Sequence, residues 1–365
     1  MDPTTETALT SATTPITRPS PTETQDEIDV DAIVLRNDLR LYIREAWHVV
    51  EPSTIYLENW HIDLIAEYLE AVTAGQIKRL LINMPPRQAK STSVSIMWPT
   101  WVWTREAFPG KPHNSVLEGP GTRWIFASYG DELRTKHSLD RRKLLQSDWY
   151  RARWPKAAEL TSDQNVKTLF SNSSSGVMLA TTMSGAAVGM GGSYVILDDP
   201  HKTKEEAIGT EVQSQVRAYS DTFATRHDDK KQGVTVIVMQ RINDNDLSAH
   251  VLATKEEHYV HLKIEAEAPE RKVIVYPRSG KILVREAGQL MWPEREGPSE
   301  IARMKAVMAL PRAEPTIRWC CAATPGRHWP EQDSVLRSPD AAWISGLAKA
   351  ALASAGASSL GQKVA

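Results

Sequence analysis

Cysteine is nearly missing from these 365 residues: Cys320 and Cys321 are the whole complement, and they are adjacent. Neighbouring cysteines make no disulfide framework and no CxxC site, which fits a reducing cytoplasm. A dominant charge is missing too. The net charge is −2, so the surface as a whole does not attract polyanions, and any nucleic-acid contact needs a local basic patch. No apolar run reaches the roughly 18 residues of a membrane span. The best stretch, "SIMWPTWVW", is short and broken by Pro99. The opening "MDPTTETALT" has neither the basic nor the apolar region of a signal peptide. Glycine is missing where it would matter most. "RLLINMPPRQAKSTSVSIMW", residues 79 to 98, carries the Lys90–Ser91 pair of a G-x-x-x-x-G-K-[ST] phosphate loop, but Met84 and Ala89 stand in the two glycine positions.

What is present is an ordinary globular balance, 41% apolar and 24% charged, enough for one large or two medium domains. Residues 1–27 are rich in Thr, Pro and Ser and are expected to be disordered. "IVLRNDLRLYIREAWHVV" predicts one amphipathic helix, and "NWHIDLIAEYLEAVTAG" a second, ended by Gly75. Apolar runs at 79–83, 123–129, 176–182, 193–199 and 233–241 predict strands. Helical stretches at 131–150 and 204–227 separate some of them, the pattern of a sheet buried on both faces. "PERKVIVYPRSGKILVREAGQL" reads as a β-hairpin or a linker, and "SEIARMKAVM" as a short helix.

The chemistry gathers in three stretches. In "PPRQAKST", backbone amides at a helix start and the Lys90 ammonium suit phosphate oxygens, and Ala89 can replace glycine if that position needs no positive φ. In "SYVILDDPHK", a buried strand delivers Asp198 and Asp199, the Walker B pattern of one acid for Mg²⁺ and one for the attacking water. The plain alternative is a strand ending in a solvated turn. In "VTVIVMQRINDNDLSAHVL", Gln240 and Arg241 either approach the γ-phosphate or merely cap an edge strand.

Four stretches together resemble the large terminase subunit of tailed bacteriophages, the ATPase that packages DNA. They are "NWHIDLIAEYLEAVTAGQIKRLLINMPPRQAKS", "FASYGDELRTKHSLDRRKLLQSDWYRARWP", "GVMLATTMSGAAVGMGGSYVILDDPHK" and "VIVMQRINDNDLSAHVL", spanning roughly residues 40 to 262. Terminases use a deviant Walker A loop with an arginine in it, so the missing glycines favour the resemblance. It implies an α/β fold, a three-layer α/β/α P-loop NTPase domain (ASCE/RecA-like) with a mostly parallel sheet, over 28–262. It also implies ATP and Mg²⁺ as ligands. Pro86, Arg87, Gln88, Ala89, Lys90, Ser91 and Thr92 would form the phosphate loop, with Lys90 and Arg87 on the phosphates. Ser91 and Asp198 would hold the metal, and Asp199 would serve as the catalytic carboxylate. Gln240 and Arg241 would couple hydrolysis to movement. Trp60 and His61 would lie at the adenine, or Trp60 would simply pack on the core. The chain departs from many relatives at Asp199 (often Glu), Asn243 (often His) and Met190 (often basic). Arg141 and Arg142 would touch DNA, act as an arginine finger, or form a solvated helix face.

The implied partners are double-stranded DNA, a small terminase subunit, a portal protein and further copies of the chain in a ring, without a membrane, in the bacterial cytoplasm. A helicase-like translocase is the enzymatic rival, and an inactive prophage remnant that binds DNA or portal the other. Lys90 and Asp198 are expected on adjacent strands, with the loop 85–91 wrapping a cavity. Residues 263–308 read as a linker toward the nuclease side of the family. The terminase-like pattern stops near Met308, so 309–365 reads as a frameshifted tail, or else a genuinely divergent one, with little fold and no nuclease.

Overall fold

The computed structural model describes residues 23–106, 113–185, 189–201, 210–242, 246–254 and 258–309. The chain enters through α1 (Gln25–Asn37), α2 (Leu39–Val50) and α3 (Trp60–Thr73), then β1 (Arg79–Asn83). A π-helical turn (Thr92–Met97) leads into α4 (Trp98–Thr104). β2 (Arg123–Ser128), α5 (Asp131–Leu145) and α6 (Asp148–Arg153) follow. Next come β3 (Leu160–Val166), β4 (Leu169–Asn172), β5 (Val177–Thr182) and β6 (Tyr194–Asp198). The described chain ends with α7 (Thr210–Ala224), β7 (Val234–Met239), α8 (Leu247–Ala253), β8 (Val260–Lys263), β9 (Lys272–Val275), β10 (Ile282–Arg285) and α9 (Pro298–Ala309).

An 8-stranded sheet in the order β3-β4-β5-β2-β6-β7-β1-β8 forms the middle layer. From β5 to β8 every neighbouring pair is parallel, while β3 and β4 add an antiparallel edge. The continuous apolar strands make sense in that setting, because alternate side chains enter two different cores. Leu80, Ile82, Trp124, Phe126, Tyr194, Ile196, Val236 and Val238 join α2, α3 and α4 on one face. Leu81, Ile125, Val195, Leu197 and Ile237 meet α7 and α8 on the other. The fold is a three-layer α/β/α domain with a mostly parallel sheet.

The helix expected over 33–50 is two helices. Asp38 breaks the run because its carboxylate accepts from Leu41 N at 3.0 Å and caps α2, while its backbone is extended. At the other end of the domain, β8 pairs with β1, and Ile264, Tyr276, Met291 and Trp292 are buried in the same core as α2 to α4. Residues 263–292 therefore complete the same α/β unit and are no linker. β9 and β10 form the hairpin. The N-terminal tail is structured from α1, with Thr24 and Glu27 closing a capping box. The expectations for residues 1–22 and 310–365 lie outside the described residues. Among those described, no helix is long and apolar enough to cross a membrane.

Candidate functional site

The carboxyl ends of parallel strands open a crevice wherever consecutive connections leave on opposite faces of the sheet. Here the chain segments leaving β1, β6 and β7 meet at that end. Lys90 and Asp198 were expected on adjacent strands, but β7 lies between β1 and β6. The eight-residue connection from β1 to the π turn bridges the extra strand. Lys90 Nζ reaches Asp199 Oδ2 at 2.5 Å, and Ser91 Oγ donates to Asp198 Oδ1 at 2.9 Å. The four residues separated by a hundred positions of sequence thus come together in matched pairs.

The loop carries the cost of its missing glycines in its backbone. Ala89 has φ 60° and Arg87 φ 60°, so the condition under which alanine replaces glycine without strain is not met. Asp199 has φ 43°. Three of the four described non-glycine residues at positive φ therefore lie in this one site, where each costs roughly 1 kcal/mol or more. Such strain persists only where surrounding contacts over-determine it, and those contacts can be named. Pro85 and Gln88 are buried, Gln88 Nε2 donates to Glu296 Oε2 at 2.8 Å, and the Gln88 carbonyl lies 3.2 Å from His61 Nε2. Arg87 is exposed at the lip, while Pro86 and Ala89 are half-buried. Thr92 opens the π turn, a device that recurs at functional sites.

Asp198 is enclosed. Burial raises its pKa, but His137, Lys90 and Ser95 outweigh burial and hold the carboxyl below its ordinary value. Ser95 Oγ donates to Oδ2 at 2.6 Å and His137 Nδ1 lies 3.3 Å from the same oxygen. Asp199 differs: its side chain is 30% exposed, and Oδ1 is buried without a hydrogen-bond partner. Gln240 Oε1 and Ser128 Oγ, at the ends of β7 and β2, are buried and unpartnered as well. Unpaired polar atoms around a lysine and two carboxylates suit a polar ligand.

Other expected residues take different places. Arg241 Nε donates to Asp246 Oδ2 at 2.9 Å, and the same carboxylate caps α8 through Ala249 N, so Arg241 is tied into the start of a helix. His201 accepts from Leu247 N at 3.0 Å, joining the segment after Asp199 to that helix. His61 is fully buried, with its ring 4.9 Å from Trp292, and it braces the loop from behind with no face left for a base. Burial lowers its pKa to about 4. Trp60 donates to the Met291 carbonyl at 3.0 Å and packs under Arg285, matching the core-packing alternative. Arg141 is completely buried, which overturns the DNA, finger and solvated-face expectations alike. Arg142 stays half-buried, Met190 is half-buried, and Asn243 lies outside the described residues.

Sequence reasoning missed Ser95, His137, Asp246 and Glu296, and it gave Arg141 a different role. Ser95 had a weak signal, being one helical turn beyond Ser91. The others reach the site from distant elements, and nothing local marks them.

No family model matches this chain, and no curated protein sequence does. Among solved structures, the crystal structure of the HK97 bacteriophage large terminase aligns at 13% identity and a TM-score of 0.42, over 63% of this chain and 44% of that one. The chain thus spans less than half the length of that protein.

Proposed function

We propose that this chain is a Mg²⁺-dependent ATPase of the DNA-packaging-motor kind. One observation carries the reading: a strained loop after β1 brings Lys90 to Asp199 and Ser91 to Asp198 at the carboxyl ends of a parallel sheet. The residues fit the metal. A hydroxyl and an ionised carboxylate 2.9 Å apart are hard oxygen donors, which Mg²⁺ prefers. No group of three or more His, Cys, Asp or Glu that could cage an ion occurs among the described residues, so phosphate oxygens and water would complete the coordination. When bound, the ion would neutralise charge on the β- and γ-phosphates.

The side chains then have definite tasks. An arriving triphosphate takes the Lys90 ammonium from Asp199, aided by loop amides at the start of the π turn and by the charge of Arg87. Asp199, released from its ion pair, accepts a hydrogen bond from the attacking water and orients it in line. Gln240, with its unpaired oxygen at the end of β7, is placed to respond to loss of phosphate, and Arg241 passes that response to α8 through Asp246. Translocation of double-stranded DNA, a small terminase subunit, a portal and a ring of copies come to this reading from the sequence resemblance.

Phosphate release tests it, measured with and without Mg²⁺ and with and without linear double-stranded DNA. Metal-dependent turnover that rises with DNA is the expected result. A chain that neither binds Mg²⁺·ATP nor releases phosphate under any of these conditions overturns it.

A further inference from the structure

Asp198 is held from a direction the phosphate loop does not supply. The face of α5 that carries His137 and Arg141 packs against the π turn and β2, and both side chains are buried. His137 reaches the same carboxylate oxygen, Oδ2, that accepts from Ser95. Arg141 sits one layer behind. Its Nη1 donates to the Ser95 carbonyl at 2.6 Å, and its guanidinium lies 3.6 Å from the Phe126 ring centroid.

The arrangement is expensive for a merely structural one. Arg141 is 0% exposed, and its Nε and Nη2 have no hydrogen-bond partner among the described residues. A buried guanidinium left partly unpaired costs several kcal/mol unless nearby charge and an aromatic face offset it. Asp198 provides the opposing charge and Phe126 the face.

Resting on the ATPase reading above, we infer that His137, Ser95 and Arg141 are positioning residues for Asp198. His137 and Ser95 fix Oδ2 directly, while Arg141 fixes Ser95. Oδ1 is thereby turned toward Ser91, so that the pair faces the metal–nucleotide together. This assigns α5 a part in metal affinity, although it contributes no metal ligand. Partners that orient a metal-binding carboxylate typically change affinity by about 10- to 100-fold when removed.

The test uses the full chain and Mn²⁺ as the probe, with free Mn²⁺ followed by its paramagnetic resonance signal in the presence of a non-hydrolysable ATP analogue. His137→Ala and Ser95→Ala should each weaken Mn²⁺ binding about tenfold. Analogue binding without metal should stay within about twofold of wild type, and Ser95→Thr, which keeps the hydroxyl, should restore most of the loss. In an Asp198→Asn background His137→Ala should add little, because residues acting through one carboxylate are not additive. Circular dichroism checks folding, and should His137→Ala fail to fold, Ser95→Ala and His137→Asn decide the question. Wild-type Mn²⁺ affinity in the folded variants overturns the inference, as does an undiminished loss in the Asp198→Asn background. A wild-type chain that binds neither analogue nor Mn²⁺ overturns the ATPase reading itself and takes this inference with it.

Discussion

Asp198 and Asp199 are consecutive in the chain, yet they belong to two regions built on opposite terms. The inner wall, formed by the end of β6, the π turn and α5, surrounds Asp198 with Ser91, Ser95 and His137, and none of its described residues has a positive φ. The outer lip, formed by 85–90 and Asp199, holds three left-handed non-glycine residues, an exposed Arg87 and one ion pair. A carboxylate with both oxygens spoken for suits an ion that must be met in one geometry. A strained lip whose one ion pair can be exchanged suits a partner that arrives and leaves. The comparison teaches that adjacent identical residues can be assigned different work by burial and by backbone conformation alone.

The largest effect should come from Lys90, the ammonium that the proposed function puts on the phosphates. Lys90→Ala is expected to lower ATP turnover by on the order of 10²-fold or more, since a charge-assisted contact to the transferring phosphate is lost. Steady-state phosphate release gives the answer, and near-wild-type turnover would remove Lys90 from the site.

Asp199→Asn should separate binding from chemistry. The amide keeps the shape but cannot act as a carboxylate toward water, so turnover should fall on the order of 10²-fold. Nucleotide affinity should stay within about threefold of wild type or improve, because Lys90 no longer has an ion pair to leave. A matching loss of affinity and turnover would mean that the two regions are not distinct.

Acid should loosen the support behind the lip. Burial lowers His61 to about 4 and His261 to about 3, and both rings are therefore neutral in the folded chain. Their folded values lie below the unfolded value of about 6.5, so this stabilisation is complete above that pH and is lost as pH falls toward 4. Between pH 7 and pH 5 the loss should be about 2 kcal/mol per ring at most. Urea unfolding across that range measures it. His61→Gln should flatten the dependence, while a pH-independent midpoint would mean that neither ring is neutral in the fold.

The smallest effect tests the strain itself. Ala89→Gly should raise stability by up to about 1 kcal/mol, because glycine adopts φ 60° without a Cβ penalty, although it also loses more entropy on folding. The corresponding change at a wall position without positive φ, Ser93→Gly, should destabilise by a similar amount. Equal signs at the two positions, read from thermal midpoints, would erase the contrast between lip and wall.

Much of this molecule was legible in one dimension. The apolar runs of β1, β2, β5, β6 and β7 were visible because strands buried on both faces cannot alternate. Lys90–Ser91 and Asp198–Asp199 were visible because each pair sits directly after such a run or its turn. The break at Asp38, the antiparallel edge strands β3 and β4, and the short strand β8 were not, since polar or brief segments leave weak periodicity.

What the sequence by itself determined was therefore the layered architecture and the two polar segments at strand ends, because both follow from local pattern and hydrophobic burial. Tertiary structure alone decided the rest. It inserted β7 between the two strands, put Ala89 at a φ its side chain disfavours, and turned His61 into a brace for Gln88. It also drew Arg141 from an apparently solvated basic helix into the core, where the Ser95 carbonyl, the Phe126 ring and the charge of Asp198 make its burial tolerable. A charge's cost depends on what surrounds it in space, and neighbours in space are the one thing a linear reading does not contain.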